Sequence, residues 1–405
     1  MTALFLYGTL REPRLLSVVL GRDVSSPAAD GPAADGPAAD GPAADGAEEG
    51  ARKPDGDIAI GPAMLPDHAV MAVEGQDFPM IVPRPGAQAA GVLVEGLDTR
   101  AFKRLRYYEG GHGYALVSVS VTVGGRARRA RVFMPEAGRW QGRGAWDFEA
   151  WRNDRAPLAI VAAQEVMAHF GLRPPAEVFA HYPSILLAAQ SRLAARDHAP
   201  VALRRGYGPG DVEILKIRRP YLGFFALQEH RLRHRRFDGG MSAPVERAIF
   251  QLADAVTILP YDPRNDLVLL VEQFRAGPSG RGDPHPWCLE PVAGRRDLGE
   301  SHADCARREL YEETGLTDVR LEPIAGYYSS PGAVSEHITS YLGICALDPA
   351  FEGTYGLESE NEDIRSIILP FDALMQAVRT GEADNGPLLI SALWLARERP
   401  RLRAG

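Results

Sequence analysis

The sequence predicts an α+β protein of two domains, and three observations carry that expectation. Its 405 residues exceed what one hydrophobic core usually organises. Two separate stretches mix strand-like apolar runs with segments of helical spacing. Between them, the segment 197–210 collects Pro200, Gly206, Gly208, Pro209 and Gly210, the composition of a linker. The expected boundaries are a first domain at 1–196, a linker at 197–210 and a second domain at 211–405.

In the first domain a strand is expected at Ala3–Tyr7 and a short helix around Leu15–Leu20. Four tandem Pro-Ala-Ala-Asp-Gly units then run from Pro27 to Gly46. Such a repeat buries too little apolar surface to offset its ordering entropy, and Pro and Gly break any helix the alanines start. Ser25 to about Asp57 is therefore expected to be a disordered loop. Order is expected again near Ile58, with strands at Ala69–Val73, Ala90–Gly96, Val117–Val123 and Ala130–Met134, then helices between Pro157 and Ala195. In the second domain strands are expected at Tyr221–Gln228, Val256–Leu259 and Val268–Gln273. Helices follow at Ala303–Thr314 and near Pro387–Arg397.

Composition excludes several classes. The chain is 45% hydrophobic and 24% charged, and it holds no apolar run long enough to span a membrane. The start, MTALFLYGTL, lacks the basic region of a signal peptide, so a cytoplasmic address is expected. Cys288, Cys305 and Cys345 form no motif, which suits a reducing compartment. A net charge of −8 lacks the basic footprint of a nucleic-acid binder. The basic run His230–Arg236 has no interleaved aromatics and is expected to be a strand edge or dimer surface. Arg281-Gly-Asp283 is read as a loop without a role.

The strongest signal lies between Gly294 and Leu316. Glu309, Glu312 and Glu313 stand at i, i+3 and i+4, so a helix carries their carboxylates on one face. Glu300 and Asp304 suit a helix start and Gly315 a helix end. Three acids on one face repel unless a cation lies among them, and an all-oxygen donor set favours a hard ion such as Mg²⁺, with Mn²⁺ as the alternative. Gly294, Glu300, Arg308-Glu309-Leu310-Tyr311-Glu312-Glu313-Thr314-Gly315-Leu316 resembles the Nudix box at every fixed position, which implies an α/β/α sandwich and hydrolysis of a diphosphate. Arg308 is part of that catalytic motif.

Flanking segments resemble the ADP-ribose pyrophosphatase branch of that family over about 211–394: Tyr221-Leu-Gly-Phe-Phe, His234-Arg-Arg-Phe-Asp-Gly, Val271-Glu-Gln-Phe-Arg275, Leu289-Glu-Pro-Val-Ala-Gly294 and Ser329-Ser-Pro-Gly332. The resemblance implies that Arg247 and Arg275 hold adenosine and diphosphate, that Phe224 or Phe225 contacts adenine, and that Glu290 belongs to the substrate site. It adds the backbone carbonyl of Ala293 and Glu362 to the metal ligands Glu309, Glu312 and Glu313, and makes Glu360 the general base. Ala248 stands where relatives often carry an acid. The branch commonly forms homodimers.

In the first domain, Tyr7-Gly8-Thr9-Leu10 closes a strand in a glycine turn whose amides suit an anionic group. Together with Phe78–Pro83, Gly91–Glu95 and Leu105-Arg-Tyr-Tyr-Glu109-Gly110, it resembles the γ-glutamylcyclotransferase-like fold, a β-barrel with helices, over about 1–150. That likeness implies that Tyr7, Gly8, Thr9 and Leu10 bind a γ-glutamyl ligand and that Glu109 is the acid/base. The pairing of domains also resembles proteins described as tellurite-resistance TrgB-like, a label for a phenotype. The expected function is hydrolysis of ADP-ribose to AMP and ribose 5-phosphate, or of a related nucleotide sugar. The alternative is a γ-glutamyl cyclotransferase or sensing module with an auxiliary Nudix domain. Deleting Pro27–Gly46 is expected to leave the melting temperature and hydrolysis unchanged, because the repeat offers no core residue; a drop beyond roughly 3 °C would show that it packs.

Overall fold

The computed structural model describes residues 3–24, 58–110, 113–196, 202–350, 353–356 and 362–404. The repeat, residues 197–201 of the expected linker and Glu360 lie outside them. The chain divides into two compact units, Met1–Ala199 with Leu222–Phe224, and Pro200–Tyr221 with Phe225–Gly405.

The first unit contains β1 (Leu4–Leu6), α1 (Pro13–Leu20), β2 (Ala59–Val73), β3 (Pro79–Glu95), α2 (Thr99–Gly110), β4 (Tyr114–Val123), β5 (Arg126–Pro135) and β6 (Gly142–Ala145), then α3 (Phe148–Asp154), α4 (Ala156–Ala168), α5 (Pro175–Ala180) and α6 (Tyr182–Ala194). The strands run β3-β1-β5-β4-β2, and β2 also pairs with β3, so five strands close into a barrel with β6 on the flank of β2. Closure removes the exposed strand edges. Alternation sends Phe5 and Tyr7 inward to Ile81, Leu93, Val121 and Val132. Leu4 and Leu6 are buried as well, so β1 is apolar on both faces.

The sequence reading underestimated β2 and β3. Ala59–Pro66 and Pro79–Ala89 contain five prolines and two glycines and so read as broken, yet they form one long hairpin. A bulge between Pro66 and His68 absorbs the irregularity: Asp67 takes a left-handed φ of 55° and its carboxylate accepts the Gly86 amide at 2.8 Å.

The second unit holds β7 (Val212–Leu222), β8 (Ala226–His234), β9 (Val245–Gln251), β10 (Ala255–Asp262), β11 (Leu267–Phe274), α7 (Ala276–Arg281), β12 (Trp287–Glu290), β13 (Val292–Arg295), α8 (His302–Thr314), β14 (Arg320–Tyr328), β15 (His337–Ile344), β16 (Gly353–Tyr355), β17 (Ile364–Pro370), α9 (Phe371–Thr380) and α10 (Gly386–Ala404). A mixed sheet runs β14-β15-β10-β11-β17-β16, with β13 on β10 and β12 on β11. Alternation along β10 and β11 feeds two cores. Val256, Ile258, Leu269 and Val271 pack with Cys305, Ala306 and Leu310 of α8. Leu259, Tyr261, Val268 and Leu270 pack with Leu374 of α9 and Leu388 and Leu395 of α10. That is an α/β/α sandwich, in line with the expected class.

Two expectations are corrected here. The strand expected at Tyr221–Gln228 is instead the end of β7, a turn at 223–225 and the start of β8, because the apolar run Tyr-Leu-Gly-Phe-Phe-Ala-Leu spans two strands joined at glycine. The basic run His230–Arg236 is not on an edge, since β8 is the middle strand of the sheet β7-β8-β9. Its charges meet acids across the sheet and at its end: Arg233 faces Glu213 at 3.6 Å and Arg235 meets Asp211 at 2.5 Å.

Barrel closure makes one glycine indispensable. A Cβ on Gly91 would stand 2.4 Å from the Leu6 carbonyl oxygen and 2.6 Å from the Phe5 ring. Gly91→Ala is expected to destabilise the first unit by about 1–3 kcal/mol through overpacking, read as a lower melting temperature. An unchanged melt would mean that β1 and β3 are not so closely apposed.

Candidate active sites

Helix α8 is fixed at both ends by local chemistry. Ser301 caps the start, its hydroxyl accepting the Asp304 amide at 3.1 Å, and Gly315 ends the helix in a left-handed conformation. The sequence reading missed this cap, although the Ser-x-x-Asp spacing signals it. Glu300 precedes the cap and does not serve the helix dipole; both its oxygens accept from Arg308 at 3.0 Å.

Arg308 also reaches Glu309 at 2.7 Å and Glu312 at 3.0 Å, and donates to the carbonyl of Arg295 at 3.1 Å. It is the cation that knits the box together, and its hydrogen bonding to Glu300 is the first cause of its raised pKa. Glu309 lies directly on Gly294 of β13, where a Cβ would come 1.8 Å from its carboxyl carbon. Beside Gly294, the Ala293 amide donates to the Glu313 carboxylate.

Burial pushes the Glu309 carboxyl up to about 7 against the pull of Arg308, with Glu312 and Glu362 adding to the rise. Burial, then Glu309 and Glu362, push Glu313 up to about 9. One Glu313 oxygen is buried without a hydrogen-bond partner. Arranged in this way, no three His, Cys, Asp or Glu side chains among the described residues converge on one point. The donor set nevertheless fits a divalent ion: it is all oxygen, one buried carboxylate oxygen is unsatisfied, and the acids repel each other in a cradle open only because residue 294 has no Cβ.

The structure therefore brings Ala293, Arg308, Glu309, Glu312, Glu313 and Glu362 together. Arg275 lies within electrostatic reach of Glu313. It is engaged by Glu290, its Nη2 2.6 Å from Oε2 and its Nε 3.0 and 3.1 Å from the two carboxylate oxygens. Burial opposes its charge, but Glu290 raises its pKa overall. Arg247, Phe224 and Phe225 are placed elsewhere. Arg247 is exposed on β9, Phe224 is 62% exposed in the β7–β8 turn, and Phe225 packs 5.3 Å from the rings of Tyr221 and Phe250. Phe250 is bonded through its backbone to Ala333 and Ser335, which ties this sheet to the Ser329–Gly332 segment.

With this geometry established, similarity to known proteins decides the family. The NUDIX domain family matches residues 251–390. The chain is 41% identical over 199 residues to an ADP-ribose pyrophosphatase of Escherichia coli K12, covering 49% of this chain and 92% of that protein. The chain belongs to the Nudix family. Further relatives of this Nudix hydrolase are an ADP-ribose pyrophosphatase of Haemophilus influenzae, 37% identical over 188 residues with 46% and 86% coverage, and a GDP-mannose pyrophosphatase of Enterobacter sp. strain 638, 31% identical over 150 residues with 37% and 77% coverage. Nudix hydrolases generally depend on a divalent metal. Residues 4–153 match the family described as gamma-glutamyl cyclotransferase, AIG2-like.

A pocket in the first unit unites residues that are far apart in the chain. Tyr7, Gly8, Thr9, Leu10 and Glu109 line it together, around a cavity of about 40 Å3. The Tyr7 hydroxyl donates to the Phe133 carbonyl at 3.0 Å and that of Tyr114 to the Pro79 carbonyl at 2.9 Å. Phe133, which sequence patterns did not flag, also lines the pocket. Gly8 is not in a left-handed turn. Its φ is −106° at the start of a 3-10 turn, and its missing side chain leaves room for Pro79, whose Cγ would stand 2.9 Å from a Cβ. Glu109 ends α2 half-buried, and desolvation pushes its carboxyl up to about 7.

A carboxyl whose folded pKa is raised stabilises the fold fully below its unfolded pKa, and that contribution is lost as pH rises through the folded value. Between about pH 4.5 and 7 the wild-type protein is therefore expected to lose more stability than Glu109→Gln. Parallel pH–stability curves for the two proteins would refute the assigned burial.

Proposed function

We propose that the C-terminal unit hydrolyses the diphosphate of ADP-ribose, or of a related ADP-sugar, with Mg²⁺ as the divalent metal and Mn²⁺ as an alternative. The observation that carries this is the Glu309–Gly294 contact, in a chain 41% identical to an ADP-ribose pyrophosphatase. Glu309, Glu312, Glu313, Glu362 and the Ala293 carbonyl would hold the metal, which neutralises diphosphate charge when bound. Arg275, paired with Glu290, orients a phosphate, while Arg247 and Phe224 or Phe225 receive the adenosine. Glu360 takes a proton from the attacking water. The water oxygen bonds to one phosphorus, the bridging P–O bond breaks, and AMP and ribose 5-phosphate leave as two monophosphates. Resemblance to the branch supports a homodimer, and three free cysteines suit a cytoplasmic address.

Glu309→Gln and Glu313→Gln are each expected to lower kcat by about two orders of magnitude or more. Glu360→Gln should lower kcat with KM nearly unchanged, whereas Glu362→Gln should raise the metal concentration required. Full activity in EDTA would overturn the metal-dependent mechanism.

The pocket around Glu109 supports a second activity or binding role, directed at a γ-glutamyl compound. Cyclising a γ-glutamyl amide moves a proton from the attacking α-amine to the leaving amine, and one carboxyl with a pKa of about 7 can relay it. The full chain is expected to release 5-oxoproline from a γ-glutamyl amine or dipeptide, and Glu109→Gln to abolish this with ADP-ribose hydrolysis intact. Binding without turnover would make the unit a sensor; neither would leave Glu109 without a ligand role.

A further inference from the structure

The flank of the barrel carries a second cavity of about 520 Å3. That is the scale of a small-molecule site. Its polar lining comes from Arg11, Arg84, Gln88 and Trp146, Met71 and Ala89 contribute to its apolar wall, and no Asp or Glu among the described residues lines it.

Arg11 follows β1 in the 3-10 turn and is half-buried. One face of its guanidinium lies 4.1 Å over the Phe148 ring, while its Nε is buried without a hydrogen-bond partner. Burial holds its pKa below the ordinary value, with Glu149 acting in the opposite direction. Neither Arg11 nor Arg84 forms an ion pair among the described residues. Trp146 is held by its backbone amide on the Val70 carbonyl at 3.2 Å, and its indole nitrogen is also buried without a partner.

Arginine only donates, and no carboxylate among the described lining residues answers it. The complement is an acceptor-only anion, for which the guanidinium fork is shaped, on a body that covers the apolar wall.

We propose that this cavity binds a small organic anion, a carboxylate or phosphate monoester on an apolar body, through Arg11 and Arg84. The site does not depend on either activity described above. Calorimetry on the full chain would use benzoate, phenyl phosphate, inorganic phosphate and neutral benzamide as probes. At least one of the two aryl anions is expected to bind about tenfold or more tightly than benzamide and inorganic phosphate, and which of them binds better identifies the headgroup. Arg84→Gln, an exposed change compatible with folding, should weaken that binding about fivefold or more, with ADP-ribose hydrolysis unaltered. Equal affinity for benzamide, tighter binding of inorganic phosphate than of either aryl anion, no binding of any anion, or unchanged affinity in Arg84→Gln would each overturn the proposal.

Discussion

The Glu309 carboxylate rests where the side chain of residue 294 would stand, and the second unit is arranged around that contact. β13 must run alongside β10 to present Gly294, α8 must lie flat on β13, and the rest of the sheet supplies the apolar floor that holds α8 down. The contact draws together acids that repel one another. Arg308 offsets part of that repulsion by spanning Glu300, Glu309 and Glu312, yet Glu313 retains a buried, unsatisfied oxygen. Such an arrangement is destabilising by itself, and the proposed divalent ion would relieve it.

The barrel of the first unit handles a carboxyl differently. Glu109 sits alone among tyrosines and apolar walls, and desolvation, with no like charge needed, moves its pKa toward neutrality. One chain thus raises carboxyl pKa values by two routes. Crowding adds to burial on α8 and suits a cation, whereas isolation at the end of α2 suits proton transfer.

Local patterns in the sequence carried much of this. The spacing of Glu309, Glu312 and Glu313, the stop at Gly315 and the alternation along Val256–Leu259 and Val268–Gln273 each depend on neighbours within a few residues, and periodicity records such neighbours directly. Where prolines stand inside strands, as in Ala59–Pro66 and Pro79–Ala89, local rules argue for breaks, and only pairing along the whole hairpin with a bulge at Asp67 overrides them. The Tyr221–Gln228 run erred for the reverse reason: continuous apolarity hid a chain reversal at Gly223.

The sequence by itself determined the chemical inventory: a helix bearing three acids and an arginine, a glycine before it, and a strand ending in Tyr-Gly-Thr-Leu. Only the tertiary structure decided how these parts are used. It set Glu309 on Gly294, engaged Arg275 with Glu290, and joined Tyr7–Leu10 to Glu109 across about a hundred residues of chain. It also set Gly8 against Pro79, whose ring takes the space a side chain would fill. Composition and periodicity register contacts between near neighbours, while burial, desolvation and the close approach of distant strands arise only once the chain has closed on itself.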